Sequence, residues 1–508
     1  MLTRRGFVSG VAGIAAAAPA RDRIVLDTRP LFDISPYLYM QFMEPLGVTD
    51  ASVEGAWDWD AGDWRKDFVE AVRDLAPDVI RWGGIYAQYY KWREGIGPAS
   101  GRPLVRNYTW GGRESNRVGT HEFVDFCRRT GAEPLWCVNF LSDGRQQYWN
   151  TPGGLHRSGD AREAADWVSY CNDPDNAERR RNGAAEPFRV KLWQIGNETS
   201  YGATGFTIEE AAAHTVEFAR AMKQRDPSIR LIGWGDRCGR EGGRLWAGEM
   251  LRRAGEHLDY VAVHTMSQQS PKNPDAVIRS LAYQSQPEKA WEELRQVSGQ
   301  VEAFLEEVEA EVRAAGPRVK VAVTEGHLSL MHNLNPLLTE WLTGAYHAHM
   351  MNIYQRHGDM VKICTGADFA GNRWTVNAVL FSAWGSWLLP SGTVMRLFKR
   401  VNGKQAVRVA SAPRDLDIAA SRTGDRFYLH VANMNYGDAV EASLAVEGMA
   451  IVGGKVHQIA PANPREAVDM DRKEVFAPVE QNLAAGPVVS WRFPARSVCA
   501  VELETRNA

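Results

Sequence analysis

The chain has 508 residues, 44% of them hydrophobic and 24% charged, with a formal net charge of −3 at pH 7. At roughly 100–200 residues per domain, that length suits one large domain plus a smaller one in a globular composition range. The charge gives no footprint for nucleic acid or an anionic membrane, and the one tight basic run, Arg179-Arg180-Arg181, reads as a solvated loop.

The first segment, "TRRGFVSGVAGIAAAAPA", pairs Arg4-Arg5 with a short apolar stretch and ends in small residues. That pattern resembles a twin-arginine signal peptide over residues 1–20, with export to the periplasm or beyond. The apolar run is too short to span a membrane. After it, "RIVLDTRPLFDIS" (residues 21–35 with its flanks) reads as a strand that joins a later sandwich. Apolar, β-branched runs then recur at 37–42, 79–82, 133–140, 190–198, 229–234, 258–265, 319–326 and 360–368. Helical spacing fills the gaps, as in "THEFVDFCRRT", "TIEEAAAHTVEFARAMKQ" and "PEKAWEELRQVSGQVEAFLEEVEAEVRAA". Eight strand–helix units over residues 36–393 predict an α/β fold, a (β/α)8 TIM barrel, over a doubly wound open sheet, since no glycine-rich phosphate loop follows the first strand. From residue 394 to 508 the pattern becomes short alternating runs with turns between, which predicts a C-terminal antiparallel β-sandwich. The six cysteines lack metal-ligand spacing and read as buried small hydrophobes, with no disulfide expected.

In such barrels chemistry sits at the C-terminal ends of the strands. The polar residues there are Glu44, Arg81, Asn139, Asn197 with Glu198, Asp236, His264, Glu325 with His327, and Asp368. Glu198 and Glu325 end strands four and seven, which face each other across a closed eight-stranded mouth. Carboxylates opposed at about 5 Å are the acid/base and nucleophile of a retaining glycosidase. Unequal surroundings would keep one protonated and the other ionised. Asn197 is placed to bond a sugar 2-hydroxyl, and either His264 or His327 to orient a carboxylate or bind a hydroxyl. His264, His327, Asp236 and Asp368 show no local metal-ligand spacing, and no Ser/His/Asp arrangement stands out, so neither metal nor cofactor is expected.

Four stretches resemble glycoside hydrolase family 51, the retaining α-L-arabinofuranosidases: "ISPYLYMQFMEPLG" (34–47), "VIRWGGIYAQYYKWREGIGPASGRP" (79–103), "EAADWVSYCN" (163–172) leading into "EPFRVKLWQIGNE" (186–198), and "LDYVAVH" (258–264). The resemblance implies the barrel with a sandwich, exo-acting hydrolysis of α-L-arabinofuranosides, Glu198 as acid/base and Glu325 as nucleophile. It also implies Glu44 and Asn197 as substrate contacts and Arg81 as the support of the site, with Asn139, His264 and His327 added from their positions. The partner is an oligo- or polysaccharide, with no nucleic acid and no membrane after signal cleavage, and a homo-oligomer is compatible with it. The chain departs from the family at "RWGGIY", where Ile85 stands at a sugar-binding Asn, at "TEGH" around Glu325, at Met266, and at "TSYGATGF" after Glu198. Those departures leave open a related glycosidase on another sugar (a β-glycosidase, uronidase or endo-glycanase) and a non-catalytic carbohydrate-binding protein.

Overall fold

The computed structural model describes residues 22–145, 156–202, 205–266, 275–316, 318–330 and 334–507. The expected signal peptide therefore lies outside the described residues.

Eight parallel strands form one sheet: Met40–Met43, Val79–Trp82, Glu133–Val138, Leu192–Ile195, Arg230–Trp234, Tyr260–His264, Lys320–Glu325 and Val361–Cys364. Each is buried almost throughout, as strands covered on both faces must be, which is why they read as continuous apolar runs. The sheet closes on itself through a parallel bridge from Tyr39 to Cys364, where Cys364 N donates to Leu38 O at 3.1 Å.

The outer helices bury one stripe each. In Pro287–Ala315 the stripe is Ala290, Leu294, Val297, Val301, Leu305, Val308 and Val312, spaced three and four apart. Ile208–Arg225 starts at a capping box, in which Thr207 Oγ1 accepts from Glu210 N and the Glu210 carboxylate accepts from Thr207 N. Two expectations are corrected here. The barrel-to-sandwich boundary at 393/394 falls inside the helix Pro390–Arg400, which packs against Lys66–Leu75 and Gly344–Arg356, so the sandwich begins only at Gln405. Arg179, expected in a solvated loop, is fully buried at the short helix Ala177–Arg181, where its guanidinium donates to the carbonyls of Tyr170, Asp173, Pro174, Ala184 and Ala185. Its two neighbours are exposed.

The second unit is a nine-stranded sheet folded around its own apolar core of residues such as Ile24, Leu26, Phe427, Leu429, Phe493 and Leu503. The sheet turns back on itself where Val446 pairs with Met449. Arg23–Asp33 lies between Gln405–Ser411 and Val440–Val446, antiparallel to the first and parallel to the second, so the sandwich is not purely antiparallel. A small sheet unforeseen in the sequence, Asp368–Gly371, Asn377–Ser382 and Gly385–Leu388, follows the eighth barrel strand and carries Trp374 to the barrel mouth. All six cysteines are buried free thiols.

Candidate active site

The C-terminal ends of the barrel strands surround a cavity of about 590 Å³. Its lining includes Glu44, Glu198, Asp236, His264, Glu325, His327 and Asp368, with Phe42, Ile85, Trp110, Met266 and Trp374 as apolar walls. A size of this order suits a small ligand.

Glu198 and Glu325 meet there with His264 between them: one donor or acceptor atom from each of the three lies within 4.8 Å of the others. His264 Nδ1 is 3.3 Å from Glu198 Oε1 and 3.8 Å from Glu325 Oε2, and its Nε2 is 3.1 Å from Thr324 Oγ1. Burial holds the imidazole neutral, with its pKa lowered to about 4. The carboxylates themselves differ. Arg81 Nη1 donates to Glu325 Oε1 at 3.0 Å, whereas Glu198 has no Arg or Lys in ion-pair contact among the described residues. Burial raises both pKa values; nearby positive charge opposes the rise at each, through the direct Arg81 contact at Glu325 and at longer range from Arg145 and Arg81 at Glu198. Three ligand atoms at this spacing could in principle bridge a cation, but Arg81 already supplies positive charge to Glu325 there.

Glu44 forms a third wall. Its Oε1 accepts from Tyr86 N at 2.8 Å and Trp110 Nε1 at 3.0 Å, and burial with the nearby Glu325 charge raises its pKa well above the ordinary value. A protonated Glu44 can donate a hydrogen bond as well as accept one. Gly84 makes room for it: the residue sits at φ 74°, and a Cβ there would fall 2.1 Å from Glu44 Oε2. His327 Nδ1 lies 2.8 Å from Asp368 Oδ1; burial opposes its charge, but the Asp368 carboxylate outweighs that and raises the pKa. Asp236 accepts from His264 N at 2.8 Å and from the Tyr201 hydroxyl at 2.6 Å, which fixes the strand-six end.

Three of the predicted site residues, Arg81, Asn139 and Asn197, do not line the cavity, and Arg81 is the support that the resemblance implied. Arg81 is fully buried beneath the cavity floor, where its guanidinium donates to Gln194 Oε1, Asn197 Oδ1, Thr324 O and Glu325 Oε1, so its partners are protein groups. Asn139 does not line the cavity; Nδ2 donates to the Tyr90 and Arg157 carbonyls and Oδ1 accepts from Ser142 N, which makes it a loop support. Asn197 is fully buried as well, with Oδ1 held by Arg81 at 2.6 Å and Nδ2 buried without a protein partner among the described residues. The sequence reading missed Trp110, Trp374 and Tyr201. The Trp110 ring packs edge-on to Trp374 with centroids 5.5 Å apart. Its "YTWGG" setting was a readable turn signal, whereas nothing local marked Trp374 as facing the mouth.

A family model described as "Alpha-L-arabinofuranosidase 1 domain" matches residues 71–288. Among solved structures, the α-L-arabinofuranosidase of Thermotoga maritima in an arabinose complex superposes with a TM-score of 0.73 at 25% identity, covering 95% of this chain and 99% of that one. These likenesses support membership of glycoside hydrolase family 51. The chain is also 34% identical over 231 residues to a "Probable alpha-L-arabinofuranosidase C" of Aspergillus fumigatus, covering 43% of this chain and 41% of that protein. It is 31% identical over 250 residues to an "Intracellular exo-alpha-(1->5)-L-arabinofuranosidase" of Halalkalibacterium halodurans, covering 46% of each. The matched stretch thus spans less than half the length of these curated relatives. The family 51 arabinofuranosidase of Xanthomonas axonopodis pv. citri shares the fold, with a TM-score of 0.80 at 22% identity over 95% of this chain and 100% of that one.

Proposed function

We propose that this protein is a retaining exo-α-L-arabinofuranosidase working by double displacement. The observation that carries the reading is the Glu198–His264–Glu325 cluster, with its ligand atoms within 4.8 Å and Arg81 on Glu325 alone. That separation suits a carboxylate attacking carbon; inverting enzymes hold theirs at roughly 6.5–9.5 Å to admit a water. Glu325, kept anionic by Arg81, attacks the anomeric carbon while Glu198 gives its proton to the departing oxygen. Glu198 then takes a proton from the water that releases the sugar. His264, neutral and in reach of both carboxylates, keeps them oriented without adding charge. The Glu44 carboxyl, which lines the cavity, is available to sugar hydroxyls.

The test is hydrolysis of 4-nitrophenyl α-L-arabinofuranoside beside other furanosides and pyranosides, with Glu325→Gln as the control. Turnover of the arabinofuranoside that vanishes in the variant is expected, and proton NMR should show a first-formed product with retained anomeric configuration. An inverted first product would overturn the double displacement. A second reading keeps the chemistry on another sugar of the same clan, and the aliphatic walls Ile85 and Met266 with the His327–Asp368 pair favour it. Variant-sensitive activity confined to pyranosides would select it. The Arg4-Arg5 leader pattern supports export by the twin-arginine route, which N-terminal sequencing of the protein from the periplasmic fraction would check.

A further inference from the structure

One buried carboxylate beside the site takes no part in the chemistry above. Asp143 is 1% exposed and does not line the cavity. It is the third of four successive residues at positive φ: Leu141, Ser142 and Asp143 at 49°, 52° and 51°, the left-handed region that L side chains rarely adopt, then Gly144 at 70°. Such a run persists only where its surroundings over-determine it, and the fixing bonds are present. Asn139 Oδ1 accepts from Ser142 N at 3.1 Å, and Asp143 N donates to Phe140 O at 2.7 Å.

The strain has a counterpart across the gap between strands three and four. Glu198 itself sits at φ 54°, two residues after Gly196 at φ 77°. Asp143 reaches over to this turn and grips it on both sides of Glu198. Thr199 Oγ1 donates to Asp143 Oδ1 at 2.5 Å, and Asn197 N is 3.2 and 3.3 Å from the two carboxylate oxygens. From the same loop Arg145 Nη2 donates to the Glu198 carbonyl at 3.2 Å. Asp143 Oδ1 also fills the space beside Gly196, where a Cβ would fall 2.6 Å from it.

We infer that Asp143 is a positioning residue for the acid/base step: by holding Asn197 N and Thr199 Oγ1 it keeps Glu198 in its left-handed conformation and so aims the carboxyl at the departing oxygen. The inference rests on Glu198 being the acid/base. Released from the clamp, residue 198 relaxes toward an ordinary backbone conformation and its carboxyl swings away from the leaving group. Asp143 makes none of the contacts of Glu325 on strand seven and reaches it only at second hand, through Asn197 and Arg81, which Gln194 holds as well. Burial raises the Asp143 pKa to about 7, which fits a carboxyl held inside for its hydrogen bonds rather than for its charge.

This assigns a defect of a particular kind. Loss of proton donation slows substrates whose leaving group needs a proton and spares those whose leaving group departs as a stable anion. The experiment compares phenyl, 4-nitrophenyl and 2,4-dinitrophenyl α-L-arabinofuranosides in the full chain for wild type, Asp143→Ala, Asp143→Asn, Thr199→Val and Glu198→Gln. For Asp143→Ala, kcat/KM on the phenyl glycoside should fall about 10- to 100-fold, the scale of a misplaced catalytic group, with the dinitrophenyl glycoside within about threefold of wild type. Asp143→Asn keeps one acceptor oxygen and should recover most of the loss. Thr199→Val should show the same leaving-group pattern more weakly, and it carries the test if Asp143→Ala does not fold. An equal loss on all three substrates, or none, in the folded Asp143 and Thr199 variants while Glu198→Gln shows the steep dependence would overturn the positioning role alone. A flat profile for Glu198→Gln would overturn the acid/base reading, and this inference with it.

Discussion

Glu325 ends a β-strand and is held by side chains: Arg81 beneath it donates to the carboxylate at 3.0 Å, and Gln194 and Asn197 hold Arg81 in turn at 2.8 and 2.6 Å. Glu198 sits on a left-handed turn, and its backbone neighbours are held by the loop after strand three. One carboxyl is thus fixed by charge and the other by backbone conformation. The difference suits the two roles: a nucleophile must stay ionised, which a buried cation secures, whereas an acid/base must lose and regain a proton, which a permanent cation at its oxygens would oppose.

Substitutions can break this contrast at either end. On the proposed mechanism, Glu325→Gln removes the nucleophile and should cut kcat on the order of 10⁴- to 10⁶-fold on every substrate, whatever the leaving group. Full activity on a dinitrophenyl glycoside would contradict its role. Glu198→Gln should cost about 10²- to 10⁴-fold on the phenyl glycoside and far less on the dinitrophenyl one, with azide restoring turnover by replacing the water that needs a base. Arg81→Met should cost about 10²-fold and leave Glu325 buried without its cation, at about 3–5 kcal/mol of stability measured by denaturant unfolding. The lost contact raises the Glu325 pKa further, so the acid limb of the pH–rate profile should move to higher pH. A folded-state pKa above the unfolded one means stability is fully present below the ordinary Glu value and falls as pH rises through the folded one, so the Arg81→Met deficit should widen across that window. An unmoved acid limb would show that Arg81 does not set the ionisation of Glu325. Gly196→Ala is the mildest: at φ 77°, with a Cβ 2.6 Å from Asp143 Oδ1 and 2.8 Å from Thr199 Oγ1, it should lower stability by about 1–3 kcal/mol and activity roughly tenfold.

Much of this was legible in the chain. All eight barrel strands stand where apolar runs marked them, because a parallel sheet buried on both faces leaves continuous hydrophobic sequence. The strand ends named Glu44, Glu198, Asp236, His264, Glu325, His327 and Asp368, which do line the mouth. What stayed hidden depends on contacts across long separations. Nothing near Arg81 says that its guanidinium meets Gln194 and Glu325, residues 113 and 244 positions away. Asn139 was misread because a polar residue at a strand end supports a loop as readily as it touches a ligand. Asp143 escaped notice because "LSDG" reads as an ordinary turn, and only the folded backbone reveals four successive positive φ angles. Arg179 shows the same limit for charge runs: identical neighbours in sequence, yet one is buried among five carbonyls.

The place of Arg23–Asp33 inside the sandwich bears on how the molecule is made. This strand precedes the whole barrel, yet its neighbours follow it, as in the hydrogen bond from Ser411 Oγ to Arg23 O across 388 residues. At roughly 5–20 residues per second of synthesis, it waits about 20–80 s with an unpaired edge before those neighbours exist. The barrel can form meanwhile from local strand–helix units, but the sandwich can assemble only after the last strands are released. Cutting the chain between residues 35 and 36 would leave a barrel with all its strands and a sandwich missing an interior one, an outcome no division at the apparent domain border would suggest.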